Sequence, residues 1–320
     1  MALRTAALAL LFALLGMALA QQDCPRGTLD ARFCDTDGDL LADVPSDAAE
    51  LADPNVLIFA YTPVEDPAVY ADVWADFLTH MEDVTGKRVQ FFPVDSNAAQ
   101  LEAMRAGRLH VAGFNTGSVP FAVNVAGFHP FTIMASEDGS FGYEMEIIVP
   151  ADSDIESPED LEGRQLAFTS QTSNSGFKAP SALLKGEFGL VADEDFEPAF
   201  SGSHENSILG VANRDYEAAS IANSVLARMV ARGVVSEDDY KMIYRSGTFP
   251  TTAYGTVYNL RPELAESIRE AFFSYDWEGT ALEAEFSKSG ESQFLPIDYK
   301  TYWAVIRTID EANEVNYTQP

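Results

Sequence analysis

The residues best suited to chemistry stand in the run from Thr169 to Gly176, Thr-Ser-Gln-Thr-Ser-Asn-Ser-Gly, between an apolar segment and a stretch with helical spacing. A loop that leads from a strand end into a helix start is a cradle for anions, because free backbone N–H groups and the positive end of the helix dipole face outward there. Ser173, Asn174 and Ser175 add neutral donors without adding charge. Serine and asparagine are also the preferred caps of any helix, so ordinary N-capping is the alternative for this run. His204, followed by Glu205, Asn206 and Ser207, forms a second polar run ahead of a helix. It can donate to an oxyanion or serve as a capped or solvated side chain. His80, His110 and His129 fall on expected elements or their ends and suggest no role. A third candidate is acidic: Asp35, Asp37 and Asp39 alternate around Gly38, with Asp43 four residues further on. Carboxylates so spaced can wrap a hard cation such as calcium, although Ser46 stands where an EF-hand loop carries its glutamate, and a solvated acidic turn is the alternative. No cofactor is expected beyond such a structural calcium.

The motifs of common enzymes are missing: there is no G-x-S-x-G, H-E-x-x-H, G-x-x-x-x-G-K-[ST] or G-x-G-x-x-G run. A hydrolase assembled from Ser173 or Ser175, His204 and a carboxylate would still need an oxyanion hole and an oriented base, so an enzyme is the less favoured reading. The chain carries 50 acidic and 20 basic residues, a formal charge of -30, with no Lys/Arg cluster. Such a surface excludes nucleic acid as a partner and requires any anion site to work through local dipoles.

Residues 1–20 have one basic residue, Arg4, then an apolar run closed by the small residues Ala18 and Ala20 before Gln21, the pattern of a secretory signal peptide. No cysteine follows the cleavage point, and no later apolar run is long enough to span a bilayer, so no direct membrane anchor is expected. A periplasmic location follows. Cys24 and Cys34 are the two cysteines of the chain, and in an oxidising compartment they are expected to form a local disulfide; the spacing is wide for a zinc knuckle and no histidine lies nearby.

These groups need elements to hold them. Residues 21–54 are polar and acidic and read as an N-terminal extension with little core of its own. From Val56 short β-rich runs alternate with helical periodicity. A strand at 56–61 precedes a helix bearing Val69, Val73, Phe77, Leu78, Met81 and Val84 on one face and stopped by Gly86. A strand at 88–93, a helix at 97–106, a strand at 109–114 and a helix at 119–126 continue an α/β lobe with a mostly parallel sheet. A strand at 141–149 leaves that lobe. The second lobe then has strands at 165–168, 217–221 and 241–244, with helices at 176–185, 207–212 and 223–231. A strand at 253–258 and a helix at 262–275 return to the first. The division is therefore 55–140 with 250–320 for lobe one and 141–249 for lobe two, joined by two crossover strands that form a hinge.

On three segments, Gly139-Ser-Phe-Gly-Tyr143, Ser173-Asn-Ser-Gly-Phe177 and Gly202-Ser-His-Glu-Asn206, the chain resembles the periplasmic phosphonate-binding proteins of ABC transporters, a likeness running from about residue 56 to 309. The resemblance implies a two-lobed periplasmic binding protein of type II, without catalytic turnover, that hands a small oxyanion to a membrane permease. It places Ser173, Asn174 and Ser175, with Thr172 in the same Ser/Thr run, at the oxyanion, with His204 and Asn206 on the same lobe and Tyr143 lining the cleft. Asn97 stands where other members carry a tyrosine, so one wall is changed. Ser224 and Thr251 or Thr252 stand where binders of aminoalkyl phosphonates carry a glutamate and an aspartate. A buried ammonium needs an opposite charge, so the departures point to phosphite, methylphosphonate or a related small oxyanion. Glu144, Glu146, Glu205 and Asp66 are the carboxylates that can substitute from another direction, which keeps aminoethylphosphonate, phosphate and arsenite as alternatives.

Overall fold

The computed structural model describes residues 24–317, and the export signal expected at 1–20 lies outside them. Eleven strands follow in chain order: β1 Val56–Ala60, β2 Arg88–Phe91, β3 Val111–Phe114, β4 Phe128–Ala135, β5 Tyr143–Pro150, β6 Gln165–Phe168, β7 Glu197–Phe200, β8 Ala218–Ala222, β9 Tyr240–Phe249, β10 Ala253–Val257 and β11 Gln293–Pro296. They form two sheets, one in the order β11-β4-β10-β3-β1-β2 and the other β7-β6-β8-β5-β9. Helices cover both, giving the two-lobed α/β architecture expected.

The first sheet is mixed rather than mostly parallel. β1 pairs in parallel with β2 and β3, but β10 runs antiparallel to β3 and β4, and β11 antiparallel to β4. The reason is topological. β10 enters from the second lobe, at the end of the sheet where β3 and β4 finish, so it must run against them. The second sheet keeps β6 parallel to β7 and β8, while the crossover strands β5 and β9 pair antiparallel to each other beside β8.

Local sequence accounts for most helix boundaries. The stretch read as one helix after β1 is two, Pro67–Val73 and Ala75–Thr85, separated at the fully buried Trp74; the second ends at Gly86, whose φ of 65° is left-handed. Helices Val119–Ala126 and Asn223–Ala231 stand where apolar spacing placed them. The helix expected from 207 instead begins at His204, because Ser203 takes the cap by accepting the Asn206 N–H at 3.1 Å.

The helix after β6 departs further. It opens in a π turn, Asn174–Lys178, continues as α-helix through Ala179–Leu183 and closes in a second π turn, Leu184–Phe188. Pro180 explains the opening turn. It has no N–H for the Gly176 carbonyl, and that carbonyl is taken instead by the Thr169 N–H at 2.9 Å. The proline thereby ties the helix start back to the end of β6.

The N-terminal segment has more core than its composition suggested. Leu29, Phe33 and Ala42 are buried, and Phe33 meets Tyr258 edge-on at 4.9 Å between ring centroids. The disulfide Cys24–Cys34 closes this segment on itself.

Behind the opening π turn, Lys178 is 1 % exposed and makes a 2.5 Å ion pair with Asp310, equally buried, on the C-terminal helix Ala304–Ala312. Its ammonium also donates to the Gly117 carbonyl at 2.9 Å and lies over the Phe121 ring. Burial pushes Lys178 down and Asp310 up from their ordinary values, each opposed by the charge of the other. Lys178→Met strips Asp310 of its counter-charge and is expected to cost about 3–5 kcal/mol, while the double variant with Asp310→Asn recovers most of it. Urea midpoints of the three proteins check this; a single variant within about 1 kcal/mol of the parent contradicts it.

Candidate functional site

The two sheets turn the same kind of edge toward each other. The carboxyl ends of β1, β3 and β4 carry Tyr61, Asn115, Thr116 and Met134 to the cleft, and the starts of β10 and β5 bring Thr251, Thr252 and Tyr143 to the same place. From the second lobe come Ser173, Asn174 and Ser175 after β6, with Ser224, Val225 and Arg228 after β8. Sites at strand carboxyl ends are the rule for open α/β sheets, since helix N-termini and loop N–H groups converge there. The cleft holds about 480 Å³ of empty space, part of it open to solvent, so the part closed between the lobes suits a small ligand.

One end of the cavity is built of uncharged donors. Ser173 Oγ accepts the Gly176 N–H at 3.0 Å, so its own hydrogen is available to a ligand. Helix geometry leaves the N–H groups of Asn174 and Ser175 without an intrahelical acceptor. The Asn174 amide donates to the Tyr143 hydroxyl at 3.2 Å, while its oxygen is buried without a partner. Ser220 Oγ donates to the Ser175 carbonyl at 2.8 Å and fixes the loop from behind.

His204, 6 % exposed, has a fixed tautomer. Its Nδ1 accepts the Ala222 N–H at 3.2 Å, so the ring proton sits on Nε2. Burial, helped by the charge of Arg228, lowers its pKa to about 3. The ring is therefore a neutral donor at physiological pH.

The opposite end is apolar and then charged. Tyr61, Met134, Tyr254 and Phe286 form the wall, and the Tyr254 hydroxyl is spent on the Met134 sulfur at 3.4 Å. Beyond them Arg228, 3 % exposed, donates to Ser289 Oγ at 3.1 Å and lies 3.7 Å from both Glu65 and Glu285. Arg232 pairs directly with the same two glutamates. Glu291 also lines the cavity; Ser289 donates to it, and burial raises its pKa against the opposing charge of Arg228.

The structure thus gathers Tyr143, Ser173, Asn174, Ser175, His204, Ser224, Thr251 and Thr252 around one cavity. Three other expected ligand residues sit elsewhere. The Asn97 amide reaches across to Ser170 Oγ at 3.0 Å and Thr172 Oγ1 at 3.2 Å, so these two residues fasten one lobe to the other. Asn206 donates to the Ser201 carbonyl at 2.9 Å and braces its own turn. Of the carboxylates considered, Glu144 bonds Asn223, Glu146 pairs with Arg245 at 2.6 Å, and Glu205 accepts the Asp66 N–H at 2.9 Å; none lines the cavity. The carboxylate that does, Glu291, and the cation Arg228 gave no sequence signal, since each is one charged residue among many.

The lobes meet backbone to backbone. A Cβ on Gly117 would stand 2.2 Å from the Thr172 carbonyl oxygen and 2.4 Å from the Asn174 nitrogen. Only glycine permits this approach, which seats the first lobe against the loop holding the neutral donors.

This combination of two mixed sheets, paired crossover strands and an enclosed polar cavity defines a periplasmic binding protein of the type II class. Residues 59–302 match the family described as ABC transporter, phosphonate, periplasmic substrate-binding protein, and the chain belongs to that family. It is 26 % identical over 283 residues to the phosphate-import protein PhnD of Mycolicibacterium smegmatis, covering 84 % of this chain and 86 % of that one. To the phosphonates-binding periplasmic protein of Escherichia coli it is 27 % identical over 235 residues, 70 % of this chain and 69 % of the other. Among solved structures, the binding-protein component of a Pseudomonas aeruginosa ABC phosphonate transporter superposes with a TM-score of 0.74 at 22 % identity, covering 82 % and 88 % of the two chains. PhnD1 of Prochlorococcus marinus, solved with methylphosphonate, gives 0.69 at 15 % identity, covering 82 % and 100 %. The family consists of substrate-binding proteins rather than enzymes.

Two outcomes follow from this geometry. Gly117→Ala holds the lobes apart and is expected to weaken ligand binding at least tenfold, read by calorimetric titration; unchanged affinity contradicts the close approach. His204 has a folded value of about 3 against an ordinary 6.5, so the unfolded chain takes up the proton first as pH falls. Its contribution to stability is complete above about pH 6.5 and is lost progressively toward pH 3. His204→Gln should therefore lose less stability between pH 7 and pH 5 than the parent does, measured by urea midpoints at both values. Equal losses contradict the assignment.

Proposed function

We propose that this protein is the periplasmic capture component of an ABC importer and holds a small phosphorus oxyanion, phosphite or a small phosphonate, between its lobes for delivery to a membrane permease. The observation that carries the reading is the neutral imidazole of His204, its Nε2 proton fixed by the Ala222 N–H, on the same cavity as Ser173, Asn174 and Ser175. Together they supply contact donors for two or three P–O oxygens without any side-chain charge. The fourth substituent then meets Tyr61, Met134 and Phe286, an apolar wall suited to P–H or P–CH3 and poorly suited to a further ionised oxygen. This favours phosphite or methylphosphonate over phosphate.

Glu291 supports a second reading. A buried carboxylate lining the far end of the cavity offers an acceptor to an ammonium or hydroxyl on a longer phosphonate, replacing from another strand connection the carboxylates absent at Ser224 and Thr251.

A thermal-shift panel of phosphite, methylphosphonate, aminoethylphosphonate, phosphate and arsenite separates the readings, because a ligand at about 100 times its Kd adds about 2.7 kcal/mol to the folded state. Phosphite or methylphosphonate is expected to give the largest shift. Ser175→Ala removes one donor to a charged ligand, about 1.5–3 kcal/mol, so binding should weaken roughly ten- to a hundredfold. Glu291→Gln should leave phosphite and methylphosphonate unaffected and weaken only an aminated ligand. If no member of the panel shifts the protein, the oxyanion reading fails; if only aminoethylphosphonate does, the family role stands and the choice of ligand passes to the second reading.

A further inference from the structure

Outside the cleft, the segment 35–43 brings three carboxylates together. Asp35, Asp37 and Asp39 each place a ligand-capable oxygen within 4.8 Å of the others. Each also spends one oxygen on the loop's own backbone: Asp35 Oδ2 accepts the Leu40 N–H at 3.2 Å, Asp37 Oδ1 that of Asp39 at 3.2 Å, and Asp39 Oδ1 that of Leu41 at 2.8 Å. These bonds hold the three side chains close together on one turn. Asp37 and Asp39 are exposed, but Asp35 is 6 % exposed, and its Oδ1 is buried with no hydrogen-bond partner. A buried carboxylate oxygen left unpaired beside two further carboxylates is costly unless something positive sits among them.

Two side chains of the first lobe meet this segment at its carbonyls. Lys300 donates to the Gly38 carbonyl at 2.8 Å, on the rim of the loop. His129 contacts the Ala42 carbonyl at 2.7 Å, and both cysteines are in the disulfide. Asp43, grouped with the other three on spacing, turns away: its carboxylate accepts the Thr36 N–H at 3.2 and 3.3 Å and closes the loop at its far side.

We propose that Asp35, Asp37 and Asp39 hold one calcium ion, with water completing the shell. An all-oxygen donor set excludes the softer metals that favour imidazole and thiolate. Calcium accepts six to eight oxygens in flexible geometry, whereas magnesium demands a near-ideal octahedron and keeps most of its water, so a turn with three carboxylates and an open side favours calcium. With Ser46 where a bidentate glutamate would stand, the affinity belongs with extracellular calcium modules, about 10⁻⁴–10⁻³ M. The site lies outside the family-matching residues 59–302 and owes nothing to the cleft. Its function is to fasten the N-terminal segment, through Gly38 and Ala42, to Lys300 and His129 of the first lobe.

The test uses the mature, chelator-treated protein in about 0.15 M salt, where diffuse attraction to the acidic surface is screened. Calorimetric titration with calcium chloride should give one saturable site, and millimolar calcium should raise the melting temperature. Asp37→Asn, an exposed change that leaves the Asp35 burial intact, should weaken binding at least tenfold, and Asp35→Asn should abolish it; if the latter fails to fold, the former decides. Magnesium at the same concentration should bind at least tenfold more weakly. No heat and no thermal shift at millimolar calcium overturns the proposal. So does binding that survives both substitutions, which would mark it as diffuse, or equal binding of magnesium.

Discussion

Lys178 carries a single buried charge on which three separated parts of the chain converge. Its ammonium touches the Gly117 carbonyl of the first lobe, the Asp310 carboxylate of the terminal helix and the face of Phe121, and it belongs itself to the π turn that presents Asn174 and Ser175. A buried ammonium demands this much compensation, because desolvation penalises the charged form unless acceptors and an opposite charge surround it. The demand is what positions the loop. Were the lysine replaced by a shape-matched apolar residue, nothing would require Gly117 and Asp310 to meet at that point. Pro180 and Ser220 act in the same direction, one by freeing the Gly176 carbonyl for Thr169 and the other by holding the Ser175 carbonyl. The donors of the cleft are therefore fixed before any ligand arrives.

With a formal charge of -30, the protein repels anions at a distance, so attraction must come from groups in contact with the ligand. The neutral end of the cleft does this with hydroxyls, backbone N–H groups and an uncharged imidazole. The far end uses charge of both signs: Arg228 and Arg232 set against Glu65, Glu285 and Glu291, nearly balanced and withdrawn from solvent. Glu65 follows β1, while the two arginines belong to the second lobe, so the network bridges the lobes as well as lining the cavity. Intact buried pairs of this kind add little net stability, because the cost of desolvating the charges offsets their attraction.

Much of this arrangement was legible in the sequence, and the rest was hidden for definite reasons. Helices Val119–Ala126 and Asn223–Ala231 announced themselves because apolar spacing agreed with the tertiary packing, and the first also follows the polar Ser118. The Thr169–Gly176 loop was recognisable because its donors are contiguous. β4, β7 and β11 were missed, since the first is an apolar run without alternation and the other two are four residues long. The antiparallel course of β10 depends on where the chain re-enters the sheet, which no local pattern encodes. Arg228 and Glu291 become part of the cavity only when the lobes meet, and in the sequence they look like any exposed charge on a helix or loop. Asn97 and Thr172 were read as touching the ligand when they touch each other; both readings put a polar residue at the cleft mouth, and distances alone separate them.

The chain passes between the two sheets at 136–142 and again at Pro250–Thr252, and the terminal helix leans across a third time. These passages are tied together: Phe141 meets Tyr302 at 5.2 Å between ring centroids, Thr116 donates to the Pro250 carbonyl at 2.7 Å, and the Trp303 indole donates to the Thr116 carbonyl at 2.9 Å. A strap of three plies has its own preferred angle, set by packing far from the ligand. The apparent affinity of a protein that must shut to bind is its intrinsic affinity multiplied by the fraction of molecules already shut. Residues such as Phe141 and Tyr302, which never approach the cavity, therefore hold a dial on how scarce a nutrient the protein can harvest, and that dial turns without altering what it selects.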